Sequence, residues 1–215
     1  MTEQRRTVNG SVDFTMMYVA HDAFTRDLGR VAAACARGAA FAERTRAGWS
    51  MFAKQLHVHH RVEDAALWPR LRAEPLRPDE VLVLDAMEME HAEIDPLLER
   101  VENAFADCNA AELITGVQAL REALGAHLRH EEDDALPLVE SYLGPDGWAD
   151  FGREIARTLG GLRGGAAYLP WVLDGAPAAM QRRVLAVLPA PARVLYRRIW
   201  APRYRRTAWW DAAGA

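Results

Sequence analysis

Apolar residues recur along this chain at steps of three and four in four long segments, the spacing that places them on one face of an α-helix. The first segment, residues 12–37, carries the stripe Phe14, Met17, His21, Phe24, Leu28, Val31 and Cys35. The second, residues 40–72, carries Phe52, Leu56, His59, Glu63 and Leu67. Leu84, Met87, His91, Ile94, Leu98, Val101 and Phe105 mark the third, over 79–107, and Leu113, Val117, Leu120, Leu124, His127 and Glu131 mark the fourth, over 110–142. Gly38, Pro75 with Pro78, and Gly144-Pro145 separate or close these segments, while Pro96 predicts a kink in the third or two helical pieces in line. Strand-like alternation is nearly absent. The pattern predicts an all-α protein, an up-down-up-down four-helix bundle filling residues 12–143.

After Trp148 the texture changes. Glycine pairs at 160–161 and 164–165 and prolines at 170, 177, 189, 191 and 202 cut the apolar runs short, which predicts short helices near 149–160, 166–174, 177–187 and 190–199. Residues 144–215 therefore read as an extension packed on the bundle.

Polar residues interrupt all four core stripes. A buried polar group without a partner costs on the order of 1–3 kcal/mol, yet His21 breaks the first stripe, His59 and Glu63 the second, His91 the third, His127 and Glu131 the fourth. Two helices repeat the unit His-x-x-x-Glu, in which residues four apart lie one above the other and can reach a common point. A single one of these histidines is ordinarily a satisfied core or edge residue. Taken together without a metal, they would leave two buried carboxylates unpaired. Six convergent groups exceed what one tetrahedral zinc needs and suit two metals bridged by carboxylates. Imidazole with carboxylate accepts iron, manganese, zinc or copper, and the absence of cysteine from the set argues against a closed structural zinc.

The segments HDAF at 21, HHRVEDAALWP at 59–69, EHAEI at 90–94 and HLRHEEDDALP at 127–137 resemble the hemerythrin-like, or HHE cation-binding, domain. The resemblance implies that His21, His59, His91 and His127 supply imidazoles to two non-heme irons, which Glu63 and Glu131 bridge together with an oxo or hydroxo group. One departure stands out. Oxygen-carrying hemerythrins have another histidine one turn before the one matching His91, and here Met87 occupies that place; a thioether is a poor ligand for iron. His60 is the foremost replacement, at about 60° around the helix from Glu63, with Glu88 and Glu90 as further candidates. His57 points away and is expected in solvent, and His130 sits on the edge of its stripe. A ferritin-like carboxylate bundle needs two Glu-x-x-His units, whereas only Glu88–His91 occurs.

Charge and composition add constraints. The formal net charge is −4, but Gln181 to the C-terminus holds eight arginines against Asp211 alone, which leaves the preceding part strongly acidic. The tail arginines are expected to pair with that acidic body rather than with nucleic acid or a membrane. No signal peptide or membrane span is apparent, so a cytoplasmic location is expected. Cys35 and Cys108 read as buried free thiols. The function expected from all this is binding of, or reaction with, O2, NO or peroxide at a diiron site. The alternative is a diiron oxidase or other oxidoreductase acting on a small-molecule substrate beneath the extension as a lid, and an iron sensor or store ranks below both. A monomer or homodimer is expected.

Overall fold

The computed structural model describes residues 10–207 together with Trp209 and Trp210. All regular structure among them is helical. Helix α1 spans Thr15–Ala36. Helix α2 (Glu43–Val62) continues through a π-turn, Glu63–Leu67, into α3 (Trp68–Arg72). Helix α4 runs unbroken over Pro78–Ala106, so Pro96 does not divide it. Helix α5 (Ala110–His130) passes through the π-turn Glu131–Ala135, the short α6 (Leu136–Leu138) and a further π-turn, Val139–Leu143. These four runs form the bundle, with α4 against α5 and α1 against both α2 and α5.

The π-turns obey a simple rule. Each begins six residues before a proline: Glu63 before Pro69, Glu131 before Pro137, Val139 before Pro145, and Tyr196 of the π-turn Tyr196–Trp200 before Pro202. Proline donates no hydrogen bond, and its ring crowds the carbonyl four residues back. Widening the preceding turn by one residue relieves that crowding. The residue ahead of each proline then closes the wide ring, as Trp68 does by donating to the Glu63 carbonyl and Leu136 by donating to that of Glu131. Pro96 and Pro170 lie inside helices without such a turn, so proline permits the bulge without compelling it.

Beyond the bundle, α7 (Gly144–Thr158), α8 (Gly161–Val172), α9 (Ala178–Val187), α10 (Ala190–Leu195) and α11 (Ala201–Thr207) follow. Their bounds differ from the expected ones. Gly144, at φ 60°, leaves the helical region and turns the chain, and Pro145 then starts α7 instead of ending its predecessor. Helix α8 includes Gly164-Gly165. At Gly164 a Cβ would fall 1.6 Å from the Leu159 carbonyl oxygen, so close backbone approach, not a turn, requires glycine there. The last π-turn carries the chain through Pro202 to Thr207. Cys108 is exposed, at φ 50° just past the end of α4, and Cys35 is half-buried; neither is the fully buried thiol expected.

The extension is tied to α1 by a buried polar network. Asp27 is fully buried; its Oδ2 accepts the indole N–H of Trp171 at 2.7 Å, and its Oδ1 accepts Arg26 Nε at 2.8 Å and Arg30 at 3.1 Å. Arg30 also donates to Asp174 at 2.8 Å. Trp171 packs on Phe24, ring centroids 5.3 Å apart. The tail arginines behave otherwise than expected. Among the described residues, only Arg183 of the eight forms an ion pair, with Asp13 at 3.2 Å; the stretch that carries Arg197, Arg198, Arg203, Arg205 and Arg206 buries Tyr196, Ala201 and Tyr204 and leaves these arginines exposed.

Asp27→Ala strands the buried Trp171 indole and removes one of two partners from each of Arg26 and Arg30, and a destabilisation on the order of 1–3 kcal/mol is expected in urea denaturation, with earlier proteolysis of the extension than of the bundle.

Candidate metal centre

Two apolar clusters divide the core, and a polar layer lies between them. Met17, Leu67, Met87 and Ala135 belong to one cluster, Phe24, Leu56, Ile94 and Leu124 to the other. On each helical run the residues between these markers are the ones that break the stripes: His21, then His59, His60 and Glu63, then His91, then His127 and Glu131. Met87 is fully buried within its apolar cluster.

The layer contains two groups. The ring nitrogens of His60, His91 and His127 come within 4.8 Å of one another, and so do donor atoms of His21, His59 and Glu131. His60 stacks on His91 with centroids 4.0 Å apart and planes 12° from parallel. Glu63 faces both groups: Oε1 lies 3.2 Å from His59 Nε2, and Oε2 lies 3.7 Å from His91 Nε2. Glu131 Oε2 is 3.1 Å from His21 Nε2.

Carboxylates outside the layer set the tautomers. His91 Nδ1–H donates to Asp64 at 2.7 Å, His21 Nδ1–H to Glu132 at 2.9 Å, and His127 Nδ1–H to Glu90 at 2.8 Å. The Nε2 atoms of these rings then face inward. His91 Nε2 and His127 Nε2 face each other at 3.1 Å, an arrangement that repels unless a cation or proton lies between. Within the layer, the buried atoms left without a hydrogen-bond partner are His21 Nε2, His59 Nε2, both ring nitrogens of His60, and all four carboxylate oxygens of Glu63 and Glu131. Buried polar atoms are almost always satisfied. So many orphans in one layer, hard or borderline donors gathered in two groups with Glu63 facing both, fit a pair of cations.

The electrostatics agree. Burial pushes His59 and His60 well below the usual histidine range, and it lowers His127. Burial would lower His21 too, but the Glu131 and Glu132 carboxylates outweigh it and raise that ring to about 9. Burial would raise Glu131, which the charge and hydrogen bond of His21 instead bring down to about 2. Glu63 has no such counter-charge, and burial with the repulsion of Glu131 pushes it well above the carboxylate range. The cation-free layer thus holds protons where a cation would sit.

Residues 12–139 match the Hemerythrin HHE cation binding domain, well over half of the chain. This chain belongs to the hemerythrin HHE cation-binding family. Comparisons with curated proteins and with solved structures gave no match.

Within the hemerythrin domain, His57 stays exposed, its Nδ1–H donating to the Ala53 carbonyl at 2.9 Å. Glu88 lies at the surface and accepts from Arg72, so it does not reach the layer. Glu90 is outside both groups and holds His127 and His130 together, accepting from His130 Nδ1 at 2.7 Å. Sequence reasoning passed over Asp64 and Glu132. The signal was present: each follows a stripe glutamate directly, as ED at 63–64 and EE at 131–132, and both pairs open a π-turn whose extra width lets consecutive side chains serve neighbouring helices. Tyr168 of α8 packs on Trp171 with ring centroids 5.6 Å apart, and burial pushes its hydroxyl pKa up.

Two outcomes follow for the hemerythrin layer. Glu131→Ala is expected to lose cation and thermal stability together, while His57→Ala changes neither; metal analysis and thermal melts on both variants check this. Because His21 and Glu63 are protonated in the cation-free layer, cation affinity should rise with pH up to about 9, with protons released on binding. Titration calorimetry in two buffers of different ionisation enthalpy reads that release.

Proposed function

We propose that this is a cytoplasmic diiron protein that binds or reacts with O2, NO or peroxide. The observation that carries the reading is the pair of inward lone pairs of His91 and His127 at 3.1 Å, each fixed by an outer carboxylate. In this reading His60, His91 and His127 hold one iron, His21, His59 and Glu131 the other, and Glu63 spans both. The irons would supply reversible one-electron redox chemistry and a Lewis-acidic seat for a diatomic ligand or peroxide.

The protein's own residues set the terms of that chemistry. Two carboxylate ligands among five imidazoles leave a positive centre, and the outer carboxylates of Asp64, Glu90 and Glu132 moderate it through the imidazole rings. A centre with few anionic ligands favours reversible cycling over strong oxidation. The bundle's apolar clusters above and below keep bulk water from the layer. On the α1–α5 side a groove of about 1900 Å³ reaches His21 and Glu132, which gives a small ligand a route inward. Phe24 lies 5.2 Å from the His59 ring and is backed by Trp171 of α8, so the extension walls the layer behind that ring.

With His60 in the first group, Met87 leaves that iron no shortage of imidazoles, and this favours small-molecule binding. The second reading, a diiron oxidoreductase with a small organic substrate, rests on the size of the groove at His21. Anaerobic reduction followed by stopped-flow mixing with O2 or NO separates them. A stable spectrum that reverses under argon supports binding, whereas rapid turnover of added peroxide or of an organic reductant supports the enzyme. His60→Ala is expected to lower iron from two per chain toward one, read by metal analysis.

A further inference from the structure

From Gln181 to Thr207 the chain carries eight arginines and no acidic residue. Helix α10, the π-turn Tyr196–Trp200 and α11 form one continuous helical stretch there. Its buried strip is Ala192, Tyr196, Ala201 and Tyr204, at steps of four, five and three. The five is the π-turn, which brings both halves of the strip to the same side despite Pro202. The opposite side is exposed and carries Arg197, Arg198, Arg203, Arg205 and Arg206, with Val194 and Ile199 among them at 59% and 52% exposure. None of these five arginines makes an ion pair among the described residues.

The composition of this face distinguishes between partners. A single-stranded nucleic acid needs aromatic platforms for its bases, but Tyr196 and Tyr204 are turned inward and Trp200 is half-buried. What remains outside is guanidinium and branched aliphatic side chain. Guanidinium forks bind phosphate in pairs, and aliphatic groups at the same level can enter the boundary between headgroups and acyl chains. We infer that this face docks the protein on an anionic phospholipid surface, with Arg197, Arg198 and Arg203 on lipid phosphates and Val194 and Ile199 in the interfacial zone. The strongly acidic remainder of the chain orients the molecule, since the same surface repels it.

The test uses the full, metal-loaded chain in co-sedimentation with vesicles of phosphatidylcholine alone or mixed with phosphatidylglycerol. Binding is expected to the mixed vesicles only and to weaken as salt shortens the screening length. The variant R197E/R198E/R203E should weaken it by roughly a hundredfold while metal content and melting temperature stay unchanged. V194S/I199S should make the remaining binding more salt-sensitive. Equal binding to both vesicle types, or none, overturns the inference. So does a DNA oligonucleotide captured in place of vesicles, or a salt-sensitive dimer in sedimentation velocity that the arginine variant dissolves without any vesicle binding.

Discussion

The structure depends on reconciling buried charge with an apolar bundle. Glu63 and Glu131 are both fully buried, and two carboxylates in one low-dielectric layer cannot stay ionised together without positive charge beside them. In the cation-free protein that need is met by a proton on Glu63 and a charged His21. The orphaned oxygens and inward nitrogens describe what replaces those protons. The two apolar clusters are arranged around this layer, so cation binding and core packing are parts of one problem.

Proline and the π-turn solve the geometric side. In the second and fourth helical runs the stripe glutamate opens a wide turn six residues before a proline, and the next acidic residue then reaches an imidazole on another helix. Asp64 serves His91 on α4, and Glu132 serves His21 on α1. The near-duplication of HHRVEDAALWP and HLRHEEDDALP is therefore structural as well as chemical: the same segment supplies ligand-type residues, the turn that aims them, and the carboxylate that fixes a neighbour's tautomer. The bulge costs helical regularity and supplies direction.

Much of this was legible in the sequence, and for a physical reason. Long amphipathic stripes register three-and-four spacing strongly, so the all-α class and the four runs could be read, and so could the positions where His and Glu displaced apolar residues. Four things escaped. The π-turns shift phase by one residue, which a fixed helical period cannot show, although the prolines announced where. Asp64 and Glu132 lie off the stripes, and an acid on an exposed face looks the same whether it binds water or an imidazole. In the extension, Gly164-Gly165 and Pro202 read as breaks because local propensity was all there was to judge by, whereas packing overrode it. The tail arginines were assigned to the acidic body on net charge alone, and net charge carries no information about which face of a helix is turned inward.

On the proposed reading, the polar layer of this hemerythrin-family bundle holds two cations of the iron type. Mössbauer spectroscopy with metal analysis, on protein loaded anaerobically with ⁵⁷Fe and then oxidised, tests it most directly. The account predicts two irons per chain in a coupled diferric pair; a single iron, or one zinc retained in preference, would contradict it.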